Sequence, residues 1–172
     1  MSEAAPFAWI IPLADIPPAG RKIARKLTEQ ECGALAAYAG IESVGALSAQ
    51  GEVKPWANGI EARITFTADV VQACVVTLEP VPDHIEGEFS RRYLPGLSEE
   101  EAHAIEVVPD EEDPPEPLTG DAIDLGPALA EELILALNPY PRAPGAAIPE
   151  EARTSDAALS PFAVLERLKP KP

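Results

Sequence analysis

The strongest structural signal in the sequence is a strict alternation of apolar and polar residues over positions 60–69. Apolar side chains occupy every second position from Ile60 to Ala68, and charged residues and threonines lie between them. Because successive side chains of a β-strand point to opposite faces, this pattern predicts a strand with one buried and one solvent-facing side. The phase slips at Val70-Val71, which predicts a bulge or a sharp bend there. A sheet built around this strand is therefore the expected framework.

Further strands are predicted on both sides of this segment. Residues 43–53 alternate loosely, and residues 85–93 return after a turn. Residues 7–13 have strand-like composition, with Pro12 favouring an edge position or a strand end. Residues 21–27, RKIARKL, predict a short exposed strand. We expect one antiparallel sheet, either open or barrel-like, made mainly from residues 7–13, 43–53 and 59–93.

Two helices are expected to cover this sheet. Thr28 and Glu31 fit a capping box that opens a helix over 29–39, and Gly40 is the expected stop. Residues 121–142 read DAIDLGPALAEELILALNPYPR, and their apolar periodicity predicts a helix over 125–137 that Asp124 can cap. The fold class is therefore α+β.

The second half of the chain is rich in proline and acidic residues. Residues 95–120 contain nine acidic residues and five prolines, which predicts a flexible acidic loop with a short strand at 104–108. We expect a single α+β domain over 1–142 and a linker over 143–158. A short C-terminal docking helix is predicted over 159–172, with an apolar face that includes Phe162.

The charge of the chain limits its partners. Twenty-nine acidic and 13 basic side chains give a net charge of −16, and no lysine or arginine lies between Arg92 and Arg142. Such a field repels phosphate, so non-specific RNA binding by the whole surface is not expected. Direct RNA contact would need a local cationic patch. The best candidate cluster in the sequence comprises Arg21, Lys22, Arg25 and Lys26.

Catalytic and metal-binding patterns are weak. The chain has two histidines and no Gly-x-Ser-x-Gly or phosphate-loop motif. The carboxylates of Asp110 to Asp113 fall in the acidic loop and are expected to be solvated. Cys32 and Cys74 are expected to be small buried hydrophobes in a reducing compartment. We predict no catalytic, cofactor or metal site. No secretory leader or membrane span is recognisable, so the cytoplasm is the expected compartment.

The segment Asn-Pro-Tyr-Pro-Arg at 138–142 is the sharpest feature of the C-terminal third. Asn138 and Tyr140 each precede a proline, which favours extended backbone geometry and a stiff segment. Two interpretations remain open. Tyr140 could pack as a structural staple, or Tyr140 and Arg142 could form a contact site.

Three blocks together resemble the YceD family, the large ribosomal RNA subunit accumulation proteins, in its alphaproteobacterial form. They are VVQACVVTLEPV ending at Val81, the run from Glu112 to Arg142, and SPFAVLERLK at 160–169. The resemblance implies a bacterial protein needed for normal accumulation of 23S rRNA, and it does not imply an enzyme. Many relatives carry a Cys-x-x-Cys-Leu-Glu-Pro motif, whereas this chain has Thr77 in place of the second cysteine. A zinc role is therefore not expected, and Cys74 is predicted to be a buried strand residue.

We therefore expect a non-enzymatic factor that promotes 23S rRNA accumulation and large ribosomal subunit biogenesis through contacts with a ribosomal protein or rRNA. The alternatives are an acidic chaperone-like module for a basic ribosomal protein and, less favoured, a metal-dependent RNA-processing hydrolase. We expect a monomer with no cofactor, membrane or small-molecule substrate. The predicted partner-binding residues are Asp124, Glu131, Tyr140, Arg142, Phe162 and Lys169.

Overall fold

The computed structural model, which describes residues 5–104 and 114–147, contains two sheets and three α-helices in these ranges. The elements in chain order are β1 (Ile10–Pro12), a 3-10 turn (Leu13–Asp15), β2 (Arg21–Lys26), α1 (Glu29–Ala39), β3 (Ser43–Trp56), β4 (Gly59–Ala73), β5 (Pro80–Pro95), α2 (Glu99–Ala104), β6 (Glu116–Leu118), β7 (Ala122–Asp124) and α3 (Gly126–Ala136).

The main sheet has five strands in the order β2-β3-β4-β5-β6. Its first four strands are antiparallel, and β6 joins the edge in parallel with β5. Among the described residues β2 and β6 are its two edges, so the sheet is open. This confirms the predicted α+β class and decides between the open and barrel-like alternatives.

The predicted alternation in β4 is confirmed, but the predicted bulge at Val70-Val71 is wrong. β4 pairs with β5 in regular register throughout, and the irregularity lies opposite, on β3 between Val44 and Ala46. The apparent slip has a simple cause. The polar Gln72 takes the next buried position, at 8% exposure, while Val71 faces outwards, so the strand keeps its phase.

Residues 7–13 were expected in the main sheet, and this is wrong. β1 is only three residues long and pairs with β7 in a separate two-stranded sheet, with Ile11 opposite Ile123. Pro12 has no N–H with which to extend a ladder, and the chain turns immediately after it. The small sheet nevertheless belongs to the core, because its facing residues Ile11 and Ile123 are buried, as are Phe7 and Trp9 just before β1.

The helices cover one face of the main sheet, α1 over β3 and α3 over β5. The capping box is present, with the Glu31 N–H donating to Thr28 Oγ1 at 3.3 Å, and Gly40 ends α1 at φ 66°. The second predicted helix, expected over 125–137, is α3, and each of its observed bounds differs from the expected one by one residue. Its side chains Leu129 and Leu133 are fully buried, and each burial contributes about 2 kcal/mol.

Arg91 joins α3 to the sheet. Its guanidinium lies 2.7 Å from a Glu132 oxygen on the helix and 3.3 Å from a Glu116 oxygen on β6. The arginine side chain is only 14% exposed. Because water screens the pair poorly there, it fixes the helix on this part of β5.

The segment predicted as an acidic loop carries short elements at its two ends, α2 and β6. The strand expected at 104–108 falls almost wholly outside the described residues. So do most of the 143–158 linker and the C-terminal helix expected over 159–172.

Candidate functional site

An open groove of about 760 Å³ lies at the end of β4 that is remote from the β3–β4 turn. Three parts of the fold form it: the C-terminal end of α1, the end of β4 with the turn that follows, and the C-terminal end of α3 with residues 138–141. The lining residues are Ala39, Gly40, Ile41, Glu42, Gln72, Ala73, Val75, Ile134, Leu135, Leu137, Asn138, Pro139 and Pro141. The walls are mostly apolar.

Exposed apolar side chains concentrate around this groove. Leu135 and Val75 line it and are 76% and 48% exposed. Leu78 is 76% exposed in the same turn as Val75, and Tyr140 lies between two lining prolines. Tyr38 is exposed next to the lining residue Ala39. A cluster of this kind on a folded protein marks an interaction surface more often than isolated exposed residues do.

The Asn-Pro-Tyr-Pro-Arg segment is fastened to the sheet by its backbone. The Gln72 amide donates to the Asn138 carbonyl at 3.0 Å, and the Val75 N–H donates to the Pro141 carbonyl at 2.9 Å. Pro141 is buried, whereas Tyr140 is 73% exposed. The interpretation of Tyr140 as a packed staple is therefore wrong, since Pro141 packs and Tyr140 projects into solvent.

Cys74 organises the turn at the edge of the groove. Its sulfur accepts N–H groups from Val76 and Thr77 at 3.4 Å and from Ala143 at 3.3 Å. The Thr77 hydroxyl and these backbone N–H groups lower the pKa of the Cys74 thiol to about 6. Cys74 is buried as expected, but it lies one residue beyond β4. It therefore acts as a hydrogen-bond acceptor that ties residue 143 to the turn.

The other cysteine is a small buried hydrophobe, as the sequence predicted. Cys32 is 4% exposed in α1, and both cysteines are free thiols. Burial raises the pKa of Cys32, which keeps it a neutral thiol.

Asp124 lies far from the groove. Its Oδ1 accepts the Trp9 N–H at 2.7 Å and the Gly126 N–H at 2.9 Å. It thereby joins the N-terminal segment to the first turn of α3. Asp124 precedes the first turn of α3, and the helix runs about 13 Å from Gly126 to Leu135.

Of the six predicted contact residues, the structure brings three to the groove end. Glu131 is exposed one helical turn before Leu135, and Arg142 is exposed directly after the lining residue Pro141. Tyr140 is the third. Phe162 and Lys169 lie outside the described residues.

The cluster of four cations predicted in β2 is divided between two faces of the sheet. Arg21 pairs with Asp15 at 3.0 Å, and Arg25 pairs with Glu31 on the helix side. Lys22 and Lys26 point to the open face, because β2 alternates. The four cations therefore do not share one face of the sheet, and strand periodicity was the signal that could have shown this.

The sequence analysis missed Leu135, Val75 and Leu78. A usable signal existed for Leu135, because the run from Leu133 to Leu137 is apolar around most of the helix and cannot be buried on every side. No such signal marks the turn at Val75, where exposure depends on the path of the chain after β4.

Two searches limit the chemistry of the described residues. Within 5–104 and 114–147, no group of three or more His, Cys, Asp and Glu side chains could hold a metal ion. In the same ranges no helix has the length and apolarity that crossing a membrane requires.

Comparison with known proteins identifies the family. The model of the large ribosomal RNA subunit accumulation protein YceD matches residues 62–169, more than half of the chain. The match includes most of β4, all of β5 and α3, and the segment that borders the groove. No curated protein and no solved structure matches the chain. The chain therefore belongs to the YceD family of large ribosomal RNA subunit accumulation proteins.

Proposed function

We propose that this protein is a non-enzymatic cytoplasmic factor that promotes 23S rRNA accumulation, and with it large-subunit biogenesis, by binding a ribosomal protein at the groove. One observation carries the proposal. Six large apolar side chains are exposed in the described part of the chain, and Val75 and Leu135 line the groove. Tyr38 and Tyr140 directly precede or follow lining residues along the chain, and Leu78 lies in the same turn as Val75. A partner that covers them would remove a large apolar area from water.

Charge indicates the kind of protein that would bind. Glu42 lines the groove, Glu131 lies one turn before Leu135, and the chain as a whole carries −16. A basic segment with apolar side chains complements this surface, and long-range attraction would speed the encounter. A large-subunit ribosomal protein held there before assembly would be kept from non-specific binding to RNA. In this form the factor is an acidic chaperone-like module.

The family description supports the ribosomal setting, and the groove supports a binding role. The predicted contact residues Tyr140 and Arg142 border the groove, so they belong to the proposed surface together with Leu135. Asp124 is assigned instead to the scaffold, because both of its hydrogen bonds are internal.

The test uses the tagged full-length chain in its own bacterial cell. Leu135→Lys places a positive charge in the groove near the C-terminal end of α3, where the helix dipole tolerates it. We expect this variant to lose co-sedimentation with large-subunit precursors and to lower the ratio of large- to small-subunit rRNA. Ile10→Lys is the matched control, since Ile10 is 54% exposed and lies in β1. An unchanged rRNA ratio after depletion of the protein would overturn the proposal.

A further inference from the structure

The groove lies close to the point where the described part of the chain ends. Its lining residue Pro141 is six residues before Ala147, the last residue described. Residues 148–172 follow directly, so this part of the sequence starts beside the groove. Twelve residues, 148–159, separate Ala147 from the segment SPFAVLERLK at 160–169. Because twelve extended residues span about 40 Å, that segment can reach the whole groove.

The segment 160–169 needs an apolar surface in order to form the helix predicted from the sequence. Phe162, Leu165 and Leu168 recur every three residues, which places them on one face of a helix. Prolines at 161 and 170 limit that helix to about nine residues. Helices as short as this are not stable in water on their own. A stable helix here therefore requires that its apolar face be buried against another surface.

The groove offers such a surface. Val75 and Leu135 line it and are exposed, and the exposed Tyr140 directly precedes Pro141 in its wall. Its volume of about 760 Å³ lies in the range of pockets that enclose ligands as large as several side chains. The apolar face of the segment and the apolar walls of the groove thus match in kind and in size.

The charges of the segment and of the groove are opposite. Residues 160–172 contain three cations and one carboxylate, a net charge of +2; they are Arg167, Lys169, Lys171 and Glu166. Among the lining residues, the turn after β4 and residues 131–142, three carboxylates are exposed against one cation. The carboxylates are Glu42, Glu79 and Glu131, and the cation is Arg142. Attraction between the two surfaces favours their contact.

The covalent connection makes even a weak contact sufficient. A short flexible linker gives the attached segment an effective concentration of the order of 1 mM at its site. A segment that bound as a free peptide with a dissociation constant of about 0.1 mM would then fill about nine tenths of the grooves. Any other ligand of the groove would bind about tenfold more weakly, because only the open fraction can accept it.

We infer that residues 160–169 of this chain occupy the groove in the free protein, and that a partner binds there by displacing them. Phe162 and Lys169, expected from the sequence to bind a partner, would then contact the groove instead. The docking stands without a partner, whereas its regulatory consequence rests on the proposed function. Because the segment is basic and apolar, it has the chemistry proposed for the ribosomal protein, and the two compete for one site.

The test measures binding of a fluorescein-labelled peptide of residues 159–172 to the 172-residue protein by anisotropy. In the wild-type protein the attached segment competes with the peptide. Leu165→Lys in the protein places a charge on the apolar face and releases the attached segment. We expect the wild-type peptide to bind this variant about tenfold more tightly than it binds the wild-type protein. Phe162→Gln alters the same face, should act alike, and serves if Leu165→Lys is unstable.

The matched control is Ala163→Lys, which introduces the same side chain two positions earlier, where a helix faces another way. We expect the peptide to bind Ala163→Lys as it binds wild type. Leu135→Lys added to Leu165→Lys should abolish the gain, whereas Ile10→Lys added to Leu165→Lys should preserve it. Equal affinities for wild type and Leu165→Lys, an equal gain from Ala163→Lys, or no binding to Leu165→Lys would overturn the inference. A wild-type dimer that Leu165→Lys dissociates in sedimentation velocity would also overturn it, because the groove would then hold the segment of a second copy.

Co-sedimentation separates this inference from the proposed function. Leu165→Lys should travel with large-subunit precursors at least as strongly as wild type, since its groove is open. Loss of co-sedimentation by Leu165→Lys would overturn displacement, because the segment itself would then bind the partner. Tighter peptide binding to Leu165→Lys, with no co-sedimentation of any form, would support the docking and count against the proposed function. Loss of co-sedimentation by Leu135→Lys with equal peptide affinities would overturn the docking and leave the proposed function standing.

Discussion

Replacing Asp124 with alanine should destabilise the protein by about 3 kcal/mol, although Asp124 is half-exposed and was expected from the sequence to contact a partner. In the structure its Oδ1 accepts two backbone N–H groups, those of Trp9 and Gly126, at 2.7 and 2.9 Å. Both bonds are short and charge-assisted. The bond from Trp9 connects parts of the chain 115 residues apart.

The magnitude follows from these two bonds. A hydrogen bond to a charged group contributes about 1.5–3 kcal/mol, and the donors remain without a protein partner when the acceptor is removed. Because Asp124 is only half-buried, water can reach the donors in part, so we take about 1.5 kcal/mol for each. Asp124→Asn keeps an oxygen acceptor and loses the charge, so about half of the effect should remain.

Urea unfolding of the full-length chain measures this directly, with circular dichroism and tryptophan fluorescence as probes. At a slope of about 2 kcal/mol per molar urea, the midpoint of Asp124→Ala should fall by about 1.5 M. Asp121→Ala, an exposed carboxylate three residues earlier, is the control and should stay within about 0.5 kcal/mol of wild type. The reasoning is refuted if Asp124→Ala and Asp121→Ala unfold at the same urea concentration.

Three further predictions concern the core, a helix cap and a thiol. Leu129→Ala should lower the free energy of unfolding, measured by thermal unfolding, by about 2–5 kcal/mol, because Leu129 is fully buried. A decrease of less than about 1 kcal/mol would contradict its packing in the core. Thr28→Ala removes the acceptor of the Glu31 N–H and should cost about 1 kcal/mol, measured by urea unfolding, and an unchanged midpoint would count against the cap. The pKa of Cys74 is lowered from 9.0 to about 6, so its thiolate stabilises the folded state fully above pH 9 and loses this effect as the pH falls through 6. The stability difference between wild type and Cys74→Ala should therefore grow from pH 6 to pH 9 in urea unfolding, and a pH-independent difference would show that the thiol stays neutral.

The elements predicted correctly are those whose signals are local. Alternation marked β4, and the capping box with its glycine stop marked α1, because each pattern is complete within a dozen residues. The predictions that failed depended on distant partners. The pairing of β1 with β7 and the position of the register shift on β3 depend on which segments meet, and periodicity does not report this.

The candidate site was predictable only in part, for the same reason. Proline placement identified the stiff segment that borders the groove, but the exposed Val75 beside it comes from a turn 65 residues earlier than Tyr140. The ion pairs around Glu61 could not be predicted either, because Arg63 and Arg92 lie on different strands and only the register places both beside Glu61.

The pairing of β1 with β7 has a consequence for how the chain reaches its folded state. The strands β3, β4 and β5 follow one another and can pair as soon as each is synthesised, because these contacts are close in sequence. Trp9 can enter the core only after Asp124 has left the ribosome, since its N–H is held by that side chain. Closing so long a loop costs entropy before the contact can form, so contacts between residues distant in sequence slow folding. We therefore expect the N-terminal segment to close the domain in the last step of folding, with the sheet already formed.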